Sequence, residues 1–222
     1  MEITVAFDIG NVLCHFDIYR FTEKLSKVVG ITDHDAYFFL VRLQALQDIG
    51  VTSVATELES QYRLKGEEIM ELVDAWNSTV YPNDSMMRFL ENLKTENTKI
   101  ALLSNMGPEH LGYLKKTVPD LFQDTIHHIS CEVGARKPTK LFFQSFIMDN
   151  DIFKGCVYID DIEENLRAGK KYSFKSYQFN LENHMKLTLA QQKTELDRLK
   201  NMIINMHPNQ TRNSKVYSGE FG

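Results

Sequence analysis

ITVAFDIGNVL, residues 3–13, sets an apolar run directly against a carboxylate at Asp8, with Gly10 two positions further on. A short apolar run of this kind reads as a buried strand, of the sort found in a parallel sheet covered on both faces. Two later runs end in the same way. Residues 100–103 lead into Ser104 and Asn105, and residues 156–159 lead into Asp160 and Asp161. In an open parallel sheet the ligand site lies outside the carboxyl ends of the strands, so three polar endings predict one shared pocket and an enzyme.

Asp8 and Ser104 are 96 positions apart in the sequence, far more than a parallel crossover needs. The surplus carries helical spacings over 18–29, 33–47, 53–64 and 67–77, broken by Gly30, Gly50 and Gly66. It predicts a small inserted bundle of about four helices. Tyr81-Pro82-Asn83-Asp84 marks the return, because proline restricts its predecessor and Asn83 or Asp84 can cap a helix running to about Leu93. Strand and helix then alternate: KIALLS, a helix over 109–116, TIHHIS, a helix over 139–148, CVYID, a helix over 162–170 and FKSYQF. The expected fold is α/β, a doubly wound parallel sheet of Rossmann-like character with an inserted small α-helical domain.

The expected boundaries are 1–15 with 82–183 for the core, 16–81 for the insert, 184–207 for a C-terminal helix and 208–222 for a mobile tail with little to bury. In the last helix Leu189, Leu196 and Ile203 recur every seven residues, with Leu199 and Met206 three after the latter two. That seam docks on the protein's own core or forms a partner or homodimer contact.

A net charge of −5 without a dominant basic stretch argues against nucleic-acid backbone as a partner. No segment reads as a signal peptide or a membrane span, since the apolar stretch 37–41 is stopped by Arg42. Cys14, Cys131 and Cys156 are odd in number and share no CxxC spacing, which fits reduced thiols and a cytoplasmic setting.

At the strand ends, Asp8 suits a nucleophile, a metal ligand or a turn cap. Gly10 lets the loop come close to a ligand. Ser104 and Asn105 can donate to a phosphoryl oxygen, although Ser-Asn is also ordinary loop chemistry. Lys137 precedes Pro138, a good first-turn residue, so its ammonium is expected near a helix N-terminus where an anion would bind. Asp160 and Asp161 are adjacent acids that a hard cation or hydrogen bonds must compensate.

In this order, FDIGNVL, LLSN, Lys137-Pro138 and YIDDIEENLRAG resemble the four motifs of the haloacid dehalogenase (HAD) superfamily, over roughly residues 1 to 180. The insert stands where that superfamily's subfamily I carries its helical C1 cap. DIGN is similar to a subgroup that includes bacterial α-glucose-1-phosphate phosphatases, and DDIEENL looks like the phosphatase domain of soluble epoxide hydrolases. The resemblance implies a Mg²⁺-dependent phosphatase of a small phosphorylated metabolite, a sugar phosphate among them. Asp8 would form an aspartyl-phosphate, and Mg²⁺ would sit on Asp8, the carbonyl of Gly10 and Asp161, with Asp160 acting through water. Ser104, Asn105 and Lys137 would hold the phosphate, and Asn165 would orient the acidic loop.

Gly10 departs from the family pattern, because most member phosphatases carry a second aspartate there as general acid and base. Losing such a group costs about 10² to 10⁴-fold in rate. His15 and Asp17 are the nearest candidates to replace it in the sequence, or are instead hinge or flap residues. Two other readings follow: a weak or inactive phosphate-binding scaffold, and a 2-haloacid dehalogenase, against which the acidic pair counts. Cap side chains such as Arg20, Arg42 or Trp76 would set specificity.

Overall fold

The computed structural model describes residues 3–94, 98–152 and 156–205. Strand β1 (Ile3–Phe7) is followed by a short β2 (Cys14–Phe16) and four helices, α1 (Ile18–Val29), α2 (Asp33–Gln47), α3 (Val54–Tyr62) and α4 (Glu67–Asn77). The chain returns through β3 (Val80–Pro82) and α5 (Asp84–Lys94) to β4 (Thr98–Ser104), then α6 (Pro108–Thr117), α7 (Pro119–Phe122) and β5 (Thr125–Ile129). After α8 (Ser130–Val133) and α9 (Lys140–Asp149) come β6 (Val157–Asp160), α10 (Glu163–Lys170), β7 (Lys175–Gln178), α11 (Leu181–Met185) and α12 (Leu189–Asn205).

The sheet has the order β5-β4-β1-β6-β7, and every pairing in it is parallel. Its centre is the strand that carries Asp8. Phe7 pairs with Leu102 on one side and Ile159 on the other, so the residues just beyond these three converge at one edge. Side chains alternate between faces. Val5, Phe7, Leu102 and Ile159 share one core with Phe89, Leu114, Leu199 and Ile203, while Ala6, Ala101, Leu103 and Tyr158 share another with Phe142, Phe143 and Phe146. The small Ala6 and Ala101 leave room for that aromatic cluster, whose Phe143 and Tyr158 rings meet edge to face at 5.9 Å.

Helices α1 to α4 bury a core of their own, with Phe21, Leu25, Phe39, Leu40, Leu58, Leu72 and Trp76. Their starts are written locally. Asp17 accepts from the Tyr19 amide, Ser53 from Thr56, and Thr32 with Asp35 closes a capping box, each worth about 1 kcal/mol. The third helix ends at Tyr62 rather than 64, because Arg63 adopts a left-handed conformation at φ 58°.

The antiparallel ribbon of β2 with β3 was not expected from the sequence. Cys14 pairs with Pro82 and Phe16 with Val80, so the strands that leave and re-enter the α/β layer are tied together. Three-residue strands carry too little periodicity to read, and Tyr81-Pro82 presents itself as a turn. In α12, Leu199 and Ile203 are buried in the main core with Leu196 and Met202 against it, whereas Leu189 is 83% exposed. The helix therefore docks on its own chain. The tail expected over 208–222, and Met206, lie outside the described residues. Among the described residues no helix is long and apolar enough to cross a membrane.

Candidate active site

Asp8 leaves β1 with its amide donating to the Ile159 carbonyl at 2.9 Å. Its side chain is buried, Oδ1 accepts from the Ile9 amide at 2.7 Å, and Oδ2 lies 3.0 Å from Lys137 Nζ. Lys137 also donates to Asp160 Oδ2 at 2.6 Å and to the Leu103 carbonyl at 2.8 Å, so its three N–H donors meet three acceptors. Its position differs from the sequence expectation. Pro138 does not open a helix, since Thr139 donates back to the Arg136 carbonyl at 2.9 Å and α9 starts only at Lys140. The turn directs Lys137 inward beneath the strand ends, where it is 1% exposed.

Asp160 is fully buried and its two oxygens are heavily engaged. Besides Lys137, they accept from Tyr158 Oη at 2.5 Å, the Ile162 amide at 2.9 Å and Asn165 Nδ2 at 3.0 and 3.2 Å. Asn165 is thus buried and tied to Asp160. Asp161 is half-buried and lines the cavity with Asp8, and its proton affinity is raised by burial and by Asp160. The carboxylates of Asp8, Asp160 and Asp161 each offer an oxygen within 4.8 Å of the others. Three acids face one ammonium there. Burial pushes Asp8 up to about 7 even though Lys137 pulls it down, because that cation is shared with Asp160, and both acidic neighbours push it further. An all-oxygen set with surplus negative charge fits a hard divalent cation.

Ser104 ends β4 beside Ile129 of β5 and is buried. Asn105 is less open than expected. Its Oδ1 accepts from the Lys137 amide at 2.7 Å and its Nδ2 donates to the Lys137 carbonyl at 2.9 Å, leaving one side-chain amide hydrogen for a ligand.

These groups open into a cavity of about 210 Å³, whose other walls include Phe16, Gln44, Gln47, Asp48 and Trp76 from the helical side and His110 and Arg136 from the α/β side. Sequence reading passed over Asn11, Gln47, Asp48, His110 and Arg136. Only Arg136, beside Lys137 in ARKP, had a local signal. His110 is buried, stacks on Trp76 at 4.2 Å and shares Nε2 with the Trp76 carbonyl at 2.8 Å, so desolvation lowers it to about 4 and keeps it neutral. Asp48 pairs with Arg136 at 3.2 Å across the two layers.

At position 10 a Cβ would meet nothing within 4 Å. Neither His15 nor Asp17 lines the cavity. His15 Nε2 is 3.0 Å from Asn83 Nδ2 and its ring stacks on Tyr81, while Asp17 caps α1 and pairs with Arg20. Of the expected specificity residues, Trp76 reaches the cavity and Arg20 and Arg42 do not.

No family model and no curated protein matches the sequence. Solved structures do. A HAD-family enzyme from Bacteroides thetaiotaomicron superposes with a TM-score of 0.71 at 21% identity, over 80% of this chain and 93% of that one. The same enzyme has been crystallised with magnesium and inorganic phosphate. A HAD phosphatase from Thermococcus onnurineus gives 0.58 at 19% identity over 81% and 86%. L-2-haloacid dehalogenase from Xanthobacter autotrophicus, with chloropropionic acid covalently bound, gives 0.54 at 16% identity over 80% and 77%. The chain has the HAD fold.

Proposed function

We propose that the protein is a Mg²⁺-dependent phosphatase that hydrolyses a small phosphorylated metabolite, with sugar phosphates as the first class to test. The observation that carries this reading is Lys137 held between Asp8 and Asp160, with Asp161 close by, at the strand ends of a HAD-type sheet. In this scheme the Asp8 carboxylate attacks phosphorus, the ester P–O bond breaks, and water then hydrolyses the aspartyl-phosphate to regenerate Asp8. Lys137 favours the ionised form of Asp8 against its burial and offsets phosphate charge. The hydroxyl of Ser104 and the remaining side-chain donor of Asn105 hold non-bridging oxygens. Asp8, the Gly10 carbonyl and Asp161 would hold Mg²⁺, with Asp160 behind them adding negative charge to the site. When bound, the cation supplies charge neutralisation for the phosphoryl group.

The bound phosphate and magnesium of the Bacteroides enzyme support this choice over a dehalogenase, as does the acidic pair. The three free cysteines support a reducing, cytoplasmic setting. The test is release of phosphate from p-nitrophenyl phosphate by the purified protein with and without Mg²⁺, beside halide release from a 2-haloacid. Mg²⁺-dependent phosphate release that disappears in Asp8→Asn is expected. Absence of phosphate release, or halide release without metal, would overturn the reading.

A further inference from the structure

The cavity contains one carboxylate that the scheme above leaves without work. Asp48 closes the end of α2, where its amide donates to the Gln44 carbonyl at 3.0 Å, and it reaches from the helical layer into the cavity that holds Asp8, Ser104 and Lys137. It is 6% exposed. Its Oδ2 faces Arg136 at 3.2 Å, and its Oδ1 accepts no side-chain hydrogen bond among the described residues. Resting on the phosphatase reading, we propose that Asp48 performs the proton transfers for which position 10 has no side chain. As a carboxylic acid it would protonate the alkoxide that leaves as the P–O bond breaks. As the resulting carboxylate it would take a proton from the water that attacks the aspartyl-phosphate, which restores the acid and balances the cycle.

The other groups in the cavity do not fit this task. His110 has its Nε2 between the Trp76 carbonyl at 2.8 Å and Thr79 Oγ1 at 3.1 Å, and it stays neutral at physiological pH. Gln44 and Gln47 carry no exchangeable charge, and Asp160 and Asp161 belong to the cation set. The groups that face Asp48 are Arg136 and Lys137, from the loop before α9, and the thiol of Cys131 on α8. Burial pushes the Asp48 carboxyl up to about 6 against the pull of Arg136 and Lys137, so acid and base are both populated near neutral pH. An ion pair that merely latched the two layers together would need neither the cavity nor that balance.

The experiment compares kcat/KM on an alkyl phosphate and on p-nitrophenyl phosphate for the wild type, Asp48→Asn and Arg136→Met, each across pH. Asp48→Asn should lose about 10²-fold on the alkyl ester and less than about threefold on the aryl ester, whose phenolate leaves without help. It should also lose the alkaline limb of the alkyl profile. Arg136→Met, which removes a cation, should move that limb to higher pH, and it decides the matter if Asp48→Asn fails to fold. Equal losses on both esters, or a limb that stays in place in both variants, overturn the role of Asp48 alone. A wild type that releases no phosphate from either ester overturns the phosphatase reading on which it rests.

Discussion

Lys137 Nζ lies closer to Asp160 Oδ2, at 2.6 Å, than to Asp8 Oδ2, at 3.0 Å, and the side chains of Lys137 and Asp160 are 1% and 0% exposed. The tighter partner of the buried ammonium is therefore not the proposed nucleophile. Asp160 holds Lys137 in place, and Tyr158, Ile162 and Asn165 hold Asp160. Removing one member of a buried, hydrogen-bonded ion pair leaves the other uncompensated, at about 3–5 kcal/mol. Asp160→Ala should lose stability of that order in urea unfolding, equivalent to a fall of roughly 6–20 °C in Tm for a chain of this size. A loss under about 1 kcal/mol would mean that Asp8 alone suffices to anchor Lys137.

Asp8 gives a pH-dependent signature that needs no substrate. Its carboxyl is raised from 3.8 to about 7, so the folded state holds a proton between those values that the unfolded chain has released. The stabilising contribution is fully present below the unfolded value and is lost as pH rises through the folded one. At about 1.4 kcal/mol per unit, Asp8→Asn should gain on the wild type by a few kcal/mol between pH 4 and 8, measured without metal. His110 acts in the opposite sense, since its affinity is lowered to about 4 and its contribution is lost as pH falls below the ordinary histidine value. Comparing the two proteins cancels it. A constant difference across this window would place the charge elsewhere.

Asp161 should separate from Asp160 by its effect on metal. It lines the cavity, whereas the oxygens of Asp160 are already engaged. Asp161→Asn should raise the half-saturating Mg²⁺ concentration at least about tenfold while leaving the metal-free protein as stable as before or more so, because it removes a like charge beside Asp160. Activity titrated against Mg²⁺ reads the first effect and urea unfolding the second. A larger metal defect in an Asp160 variant that remains folded would reverse the two assignments.

Gly50 tests the seat of the helical layer. It sits at φ +73°, and a Cβ there would stand 2.7 Å from the Cys131 carbonyl oxygen. Gly50→Ala therefore meets both an unfavourable backbone conformation, about 1–2 kcal/mol, and a clash with main chain that cannot rotate away. We expect a stability loss of about 2 kcal/mol or more, with a rise in KM because Asp48 lies two residues upstream. Unchanged KM and stability would show that this contact yields without displacing the end of α2.

Most of the fold is written locally. A buried strand needs a short apolar run, an amphipathic helix a 3.6-residue recurrence and a cap, and these marks are present at Ile3–Phe7, at Val157–Asp160 and at Thr32 with Asp35. The order of the polar endings at Asp8, Ser104, Lys137 and Asp161 could likewise be read along the chain, because each is tied to a strand end or a neighbouring proline. The direction of the side chains was not legible. Lys137 turns inward through a local bend at Arg136 and Thr139, while Asn105 clamps its main chain and Asp160 becomes its closest partner through contacts between segments distant in sequence. Asp48 and Arg136 meet only when α2 settles over the loop before α9, and Trp76 finds His110 only when α4 does the same over α6. Local spacing encodes which residues share a face of one element. Which faces then meet, and so which carboxylate of the helical layer reaches the cavity that Asp8 lines, is decided by packing.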